Sequence, residues 1–253
     1  MKYESRLLVD KGIALYMGKS LQTNFHSHHV LQIAIIIKGT YAIYIGEHIY
    51  RNQSVLIQSN VKHKHSTGNG VQLSLFIDPM SNLGRCLRAN YPSDFLLFDA
   101  KPQLVNGLLQ AFSRSCPDTQ EIKNLIIKAF NLQPKTTKID SRISQLLEQI
   151  EASNFEGEKI GALCAGIYLS ESRIRHLFKQ QTGISIKRYC LWGKIRKALY
   201  YISQGESLIQ AAYHANFSDY AHLSRTVKEM FGLNLKNLLK DSHSVQENQD
   251  SFD

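Results

Sequence analysis

The chain has 253 residues, 43% of them hydrophobic and 20% charged, with a formal net charge of +9. That length holds one large domain or two ordinary ones, and that composition excludes global disorder. The charge favours a polyanionic partner, and the longest apolar run, 33–37, is far too short to span a bilayer.

Residues 1–77 carry short apolar or alternating runs at 6–9, 13–17, 31–37, 41–45, 54–58 and 71–77, separated by turn residues such as Lys38-Gly39 and Gly46-Glu47. Many short strands in so short a stretch predict a small antiparallel barrel or jelly roll, which can enclose one small ligand. The run at 30–37 is apolar at nearly every position, as for a strand buried on both faces. From 81 to 133 the period changes. Leu104, Leu108, Leu109 and Phe112 mark one amphipathic helix, and Ile122, Leu125, Ile126, Ala129 and Phe130 mark another. These helices either flank the barrel or pair with a second copy of the chain.

Residues 134–139 hold a Pro and lack apolar periodicity, which marks a linker between a domain at 1–133 and one at 140–240. In residues 159–198, nine Lys or Arg stand against one acid, Glu171. A turn at Gly166-Ile167-Tyr168 is followed by Ser170, whose hydroxyl can cap the helix after it. A helix, a turn and a capped basic helix is how a protein presents one helix to the major groove. The pattern repeats. Ile160, Cys164, Leu169 and Ser170 recur 48 residues later as Leu208, Ala212, Phe217 and Ser218. After one inserted residue, Ile174, Phe178, Lys179, Gly183 and Ile184 recur 49 residues later as Leu223, Val227, Lys228, Gly232 and Leu233. A long helix at about 185–203 joins the two units and would hold two recognition helices at a fixed separation. The tail, 241–253, is polar and expected to be disordered.

The four cysteines, Cys86, Cys116, Cys164 and Cys190, are scattered without a C-x-x-C pair and read as reduced core residues of a cytosolic protein. The opening MKYESRLLVDKG has no apolar stretch, so no signal peptide is expected. The predicted location is cytoplasmic, on the nucleoid.

The segment SLIQAAYHANFSDYAHLSRTVKEMFGLN, 207–234, resembles the signature of AraC/XylS-type transcription regulators, and LSESRIRHLFKQQTGIS resembles that family's first helix-turn-helix. The resemblance covers about 145–240. In this chain the turn Gly of the second unit is Asn216, Tyr168 stands at that place in the first unit, Lys194 replaces an Arg of the linking helix, and Asn234-Leu235 replaces Ser-Pro. Residues 20–80 are similar to the cupin-like sensor barrel often fused to such modules. The resemblance implies an α+β chain of two domains. A cupin-like β-barrel with flanking helices, sensing a small molecule, would precede an all-α double helix-turn-helix that binds duplex DNA. RNA polymerase and a homodimer partner through 81–133 are expected partners, and no membrane.

By the resemblance, Ser172, Arg175 and His176 match base-facing positions of the first recognition helix, and Tyr220, Ala221, Ser224 and Arg225 those of the second. An Arg reads guanine bidentately. Arg173, Lys179, Lys187, Arg188 and Lys228 are assigned to phosphates, which position without specifying sequence. His26, His28, Gln32 and His63 form the candidate effector site. Cupin metal sites place an H-x-H pair, an acid and a later His around one ion. Here Gln32 takes the acid's place, and a neutral amide is a weak ligand for hard or borderline metals. A divalent metal at His26, His28 and His63, a hydrogen-bonding effector pocket and solvated strand ends all stay open. No general base, nucleophile or Gly-rich phosphate loop appears elsewhere, which speaks against an enzyme. The alternative is a metal-dependent cupin enzyme with an accessory helical domain.

Overall fold

A computed structural model describes residues 5–10, 12–19, 22–114, 117–133, 138–155, 161, 166–232, 235 and 242–246. Two compact units emerge: residues 1–136 together with 224–253, and residues 137–223.

The first unit is built on two sheets. The larger contains β1 (Ser5–Asp10), β2 (Ile13–Lys19), β3 (Leu31–Lys38), β6 (Ser54–Ile57), β8 (Val71–Ile77), β9 (Phe95–Phe98) and β10 (Ser242–Gln246), in the order β10-β1-β2-β8-β3-β6-β9. The smaller runs β5-β4-β7, from β5 (His48–Arg51), β4 (Tyr41–Ile45) and β7 (His63–Thr67). The helices α1 (Asn82–Asn90), α2 (Pro102–Ser113) and α3 (Thr119–Ala129) cover one face of the larger sheet. There Leu31, Ile33, Ile35, Leu73, Leu75 and Ile77 meet Leu83, Leu87, Leu108, Phe112, Ile122 and Ile126. Burying each of these side chains is worth roughly 1.5–3 kcal/mol. The apolar stripes of α2 and α3 are therefore taken up by the sheet.

The opposite face of the larger sheet meets the smaller one. Ala34, Val55 and Ile57 pack with Tyr41, Ile43 and Ile45. Strand periodicity of two sends Gln32, Gln72 and Ser74 to this same inner side. Strand β3 is thus buried on both faces, which accounts for its continuous apolar run.

The segment 241–253, expected to be disordered, contains a strand at Ser242–Gln246 that pairs in parallel with β1. A polar sequence suffices there, because an open sheet edge is satisfied by backbone groups alone. Of the expected linker, residues 134–137 lie outside the described part.

The second unit contains α4 (Ser141–Ala152), α5 (Glu171–Thr182), α6 (Ile186–Ser203), α7 (Leu208–His214) and the first turn of α8 (Tyr220–Phe231). Its buried residues recur at helical spacing: Ile143, Leu146 and Ile150 on α4, Ile174 and Phe178 on α5, and Tyr189, Trp192, Ile195 and Leu199 on α6. The sequence-predicted helix at Ile160 and Cys164 falls outside the described residues. Among those described, no helix is long and apolar enough to cross a membrane.

Candidate nucleic-acid interface and effector site

Helix α5 starts at Ser170, whose Oγ accepts the Arg173 N–H at 3.3 Å. It ends at Gly183, in the left-handed region with φ 84°, whose N–H donates to Lys179 O. Ile174 and Phe178 are fully buried. The opposite face therefore carries Ser172, Arg175 and His176 into solvent, and Arg173 and Lys179 are exposed on the same helix. Lys187 and Arg188, in the first turn of α6, are exposed as well. Tyr168, in the turn before α5, is 97% exposed.

In the second unit of the repeat, Asn216 adopts φ 58°, the left-handed conformation that short polar side chains tolerate. Lys194 donates to Asn216 O at 3.0 Å, so the lysine of the linking helix holds that turn in place. The cap of α8 is Asp219 and not Ser218: Asp219 Oδ1 accepts the His222 N–H at 2.6 Å. Asp219 stands 49 residues after the cap Ser170, so the inserted residue falls before the cap. On α8, Ala221, Arg225 and Lys228 are exposed, and Tyr220 and Ser224 are half-buried.

The histidines form one buried cluster between the two sheets. His26, His28, Gln32, His63 and His65 are each at most 6% exposed. The Nδ1 atoms of His26, His28 and His63 lie 2.8, 2.9 and 2.8 Å from the carbonyl oxygens of Asn24, Val30 and Val61. A carbonyl can only accept, so each Nδ1 carries the proton and each Nε2 keeps its lone pair. The end of the Gln32 side chain lies 3.1 Å from the Nε2 of both His28 and His63. Two lone pairs there call for the amide NH2, with the amide oxygen turned toward Ser74 Oγ. One glutamine then satisfies two imidazoles.

Burial lowers the His26 pKa to about 4, aided by neighbouring His28 and opposed by the Asn24 carbonyl. Burial, with the neighbouring imidazoles, holds His63 and His65 well below the ordinary histidine range. These three rings are neutral at neutral pH.

The sequence pattern did not assign His65 and Tyr41 to this site. The Tyr41 hydroxyl lies 2.8 Å from His65 Nδ1, and His65 Nε2 is buried without a hydrogen-bond partner. The available signal was period two: His63-x-His65 on one strand puts both rings on the inner face.

One ring nitrogen from each of His26, His28 and His63 lies within 4.8 Å of the others. Neutral imidazoles fixed through Nδ1 on carbonyl groups suit a borderline transition-metal ion, such as Zn²⁺, better than Mg²⁺ or Ca²⁺. Bonds of roughly 2.0–2.1 Å to such an ion would require the three rings to draw inward.

The last turn of α8 belongs to the same compact unit as this cluster. The Phe231 ring lies 5.7 Å from His28 and 5.3 Å from Phe76. The Asn24 N–H donates to Gly232 O at 3.2 Å.

A double-sheet unit that encloses a buried histidine cluster, and capped helices that precede and follow a linking helix in the chain, define the class of two-domain helix-turn-helix proteins. Residues 163–241 match the family described as helix-turn-helix domain and form one of the AraC type. The uncharacterized HTH-type transcriptional regulator YidL of Escherichia coli (strain K12) is 31% identical over 102 residues, which span 40% of this chain and 34% of that protein. The chain thus matches about a third of that relative's own length. Two structures of ToxT from Vibrio cholerae share the fold. A 1.65 Å structure has a TM-score of 0.60 at 12% identity, covering 92% of this chain and 98% of ToxT. An unsaturated-fatty-acid-bound wild-type form has a TM-score of 0.60 at 16% identity, covering 98% and 100%.

Proposed function

We propose that the protein is a sequence-specific DNA-binding transcription regulator, controlled by a small effector bound among His26, His28, Gln32 and His63. Base readout falls to Ser172, Arg175 and His176 on α5 and to Tyr220, Ala221, Ser224 and Arg225 on α8. Arg173, Lys179, Lys187, Arg188 and Lys228 hold phosphates. The observation that carries the coupling is the packing of Phe231 and Gly232 against His28 and Asn24. A change at the histidines is felt by the helix that presents Arg225 and Lys228. RNA polymerase and a second copy of the chain, through the helices of 81–133, complete the partner set. Ile127, 40% exposed on α3, is an apolar side chain available to such a copy. The site of action is the cytoplasm.

A second reading of the effector site follows from the three imidazoles: the effector is itself a divalent transition-metal ion. Footprinting of a selected duplex, with and without added Zn²⁺, tests both. Discrete protection that Zn²⁺ alters supports regulation by metal, and discrete protection indifferent to it leaves an organic effector. Absence of discrete protection overturns the regulator.

A further inference from the structure

The outward face of the small sheet has no role so far. Strand pairing sets Tyr44 opposite both Ile49 and Lys64, and Ala42 opposite both Arg51 and Ser66. Period two sends these residues outward, because Ile43, Ile45, His63 and His65 point into the interior. Phe25 joins the row, 47% exposed, with its ring 6.3 Å from Tyr44. The Lys64 ammonium lies 5.1 Å from the Tyr44 ring centre and 6.0 Å from that of Phe25. Lys62 places a second ammonium 5.8 Å from Phe25. Among the described residues, Arg51, Lys62 and Lys64 form no ion pair with a carboxylate.

We propose that this face, with Lys62 and Lys64 held at Phe25 and Tyr44 and Arg51 on β5 diagonal to Tyr44, is a second DNA contact that binds the phosphate backbone of a duplex without reading its bases. The proposal rests on the reading of the protein as DNA-binding. Its warrant is charge complementarity. Among the described residues the three cations lack an acidic counterpart, and two ammonium groups crowd the Phe25 ring. Cation–π contacts hold those ammonium groups over the sheet and so orient them in advance. The chain's own lysines sit over the ring faces, so the surface offers a partner charge more than a stacking platform. Arg51 is level with Ser66 two strands away, so at about 4.8 Å per strand and about 3.3 Å per residue it lies roughly 12 Å from Lys64 and roughly 16 Å from Lys62. That suits a line of phosphates, one per about 3.4 Å along each strand. An acidic protein surface is the competing occupant.

The test uses the full chain and a labelled duplex of random sequence, roughly three helical turns long. Affinity is measured by fluorescence anisotropy between roughly 50 and 200 mM salt. The probe is compared for wild type, a triple variant (Arg51→Gln, Lys62→Gln, Lys64→Gln) and a second-unit control (Lys179→Gln, Arg188→Gln). Loss of three phosphate contacts should reduce the slope of log K against log salt by about 2.7. The loss of affinity across that salt range then shrinks by roughly 40-fold. Thermal melting checks that the triple variant is folded. A slope equal to wild type in the triple variant, with a reduced slope in the control, overturns this contact and leaves the DNA-binding reading standing. That result is the one expected if the face serves an acidic protein. A wild type that binds no duplex overturns both.

Discussion

The Arg175 guanidinium lies on the Glu171 carboxylate one turn earlier on α5, with Nε 2.9 Å from Glu171 Oε1. Both side chains are half exposed. The residue assigned to guanine is therefore engaged before any base is met. An exposed pair of this kind is worth about 0.2–1 kcal/mol. Replacing Glu171 by Gln frees the arginine and removes a negative charge from the helix proposed to read DNA. Affinity for a selected duplex should rise by roughly 1.5- to 5-fold. Titration of wild type and Glu171→Gln against one duplex checks this, and equal affinities would show that the pair costs nothing on binding.

Gly232 has φ +65°, and a Cβ there would lie 2.7 Å from both Asn24 O and His26 Nδ1. Ala at this position combines backbone strain with a clash against the loop that carries the histidines. It should destabilise the first unit by roughly 1–3 kcal/mol. It should also shift the His26 ring resonances in an NMR spectrum. Unchanged stability and unchanged resonances would separate α8 from the cluster.

Low pH should destabilise the fold through the same rings. His26, His63 and His65 have folded pKa values below the ordinary 6.5, that of His26 at about 4. Between those limits the unfolded chain binds more protons than the folded one, so stability falls as pH falls. The loss is at most about 1.4 kcal/mol per pH unit for each histidine. It begins near pH 6.5 and, for His26, ends near pH 4. Urea melts across that range measure it. A flat profile would place these rings in contact with water.

Much of this architecture is legible before any coordinates, and the misses share physical causes. The buried run of β3, the stripes of α2 and α3 and the linking helix α6 follow from apolar period and caps. The strands at His48–Arg51 and His63–Thr67 are not among the predicted runs, because four or five residues that mix polar and apolar side chains carry little hydrophobic signal. In β7 the inward residues are His63, His65 and Thr67, so burial there is polar. The strand at Ser242–Gln246 rests on backbone pairing, which leaves almost no trace in side-chain pattern. At the candidate site, Gln32 looked like a defective metal ligand. Its position 3.1 Å from two Nε2 atoms makes it a neutral group that satisfies both rings.

Gln32→Glu therefore tests what the cluster holds. A carboxylate beside inward-facing Nε2 lone pairs adds a charged oxygen ligand to three imidazoles. Zn²⁺ affinity, measured by equilibrium dialysis, should rise at least tenfold over wild type, about 1.4 kcal/mol. Without metal the variant should melt lower, since the buried carboxylate lacks a counter-charge. Equal Zn²⁺ affinity in both proteins would show that the three rings cannot close on an ion.

The most direct measurement is selection of bound duplexes from a random pool by wild type, Arg175→Ala and Arg225→Ala, under one salt condition. Wild type should enrich a defined site. Each variant should lose roughly 1–3 kcal/mol of discrimination at one position of that site, while its affinity for random duplex stays close to wild type. Enrichment of the same site, with the same strength, by all three proteins would contradict the assignment of α5 and α8 as the helices that read DNA.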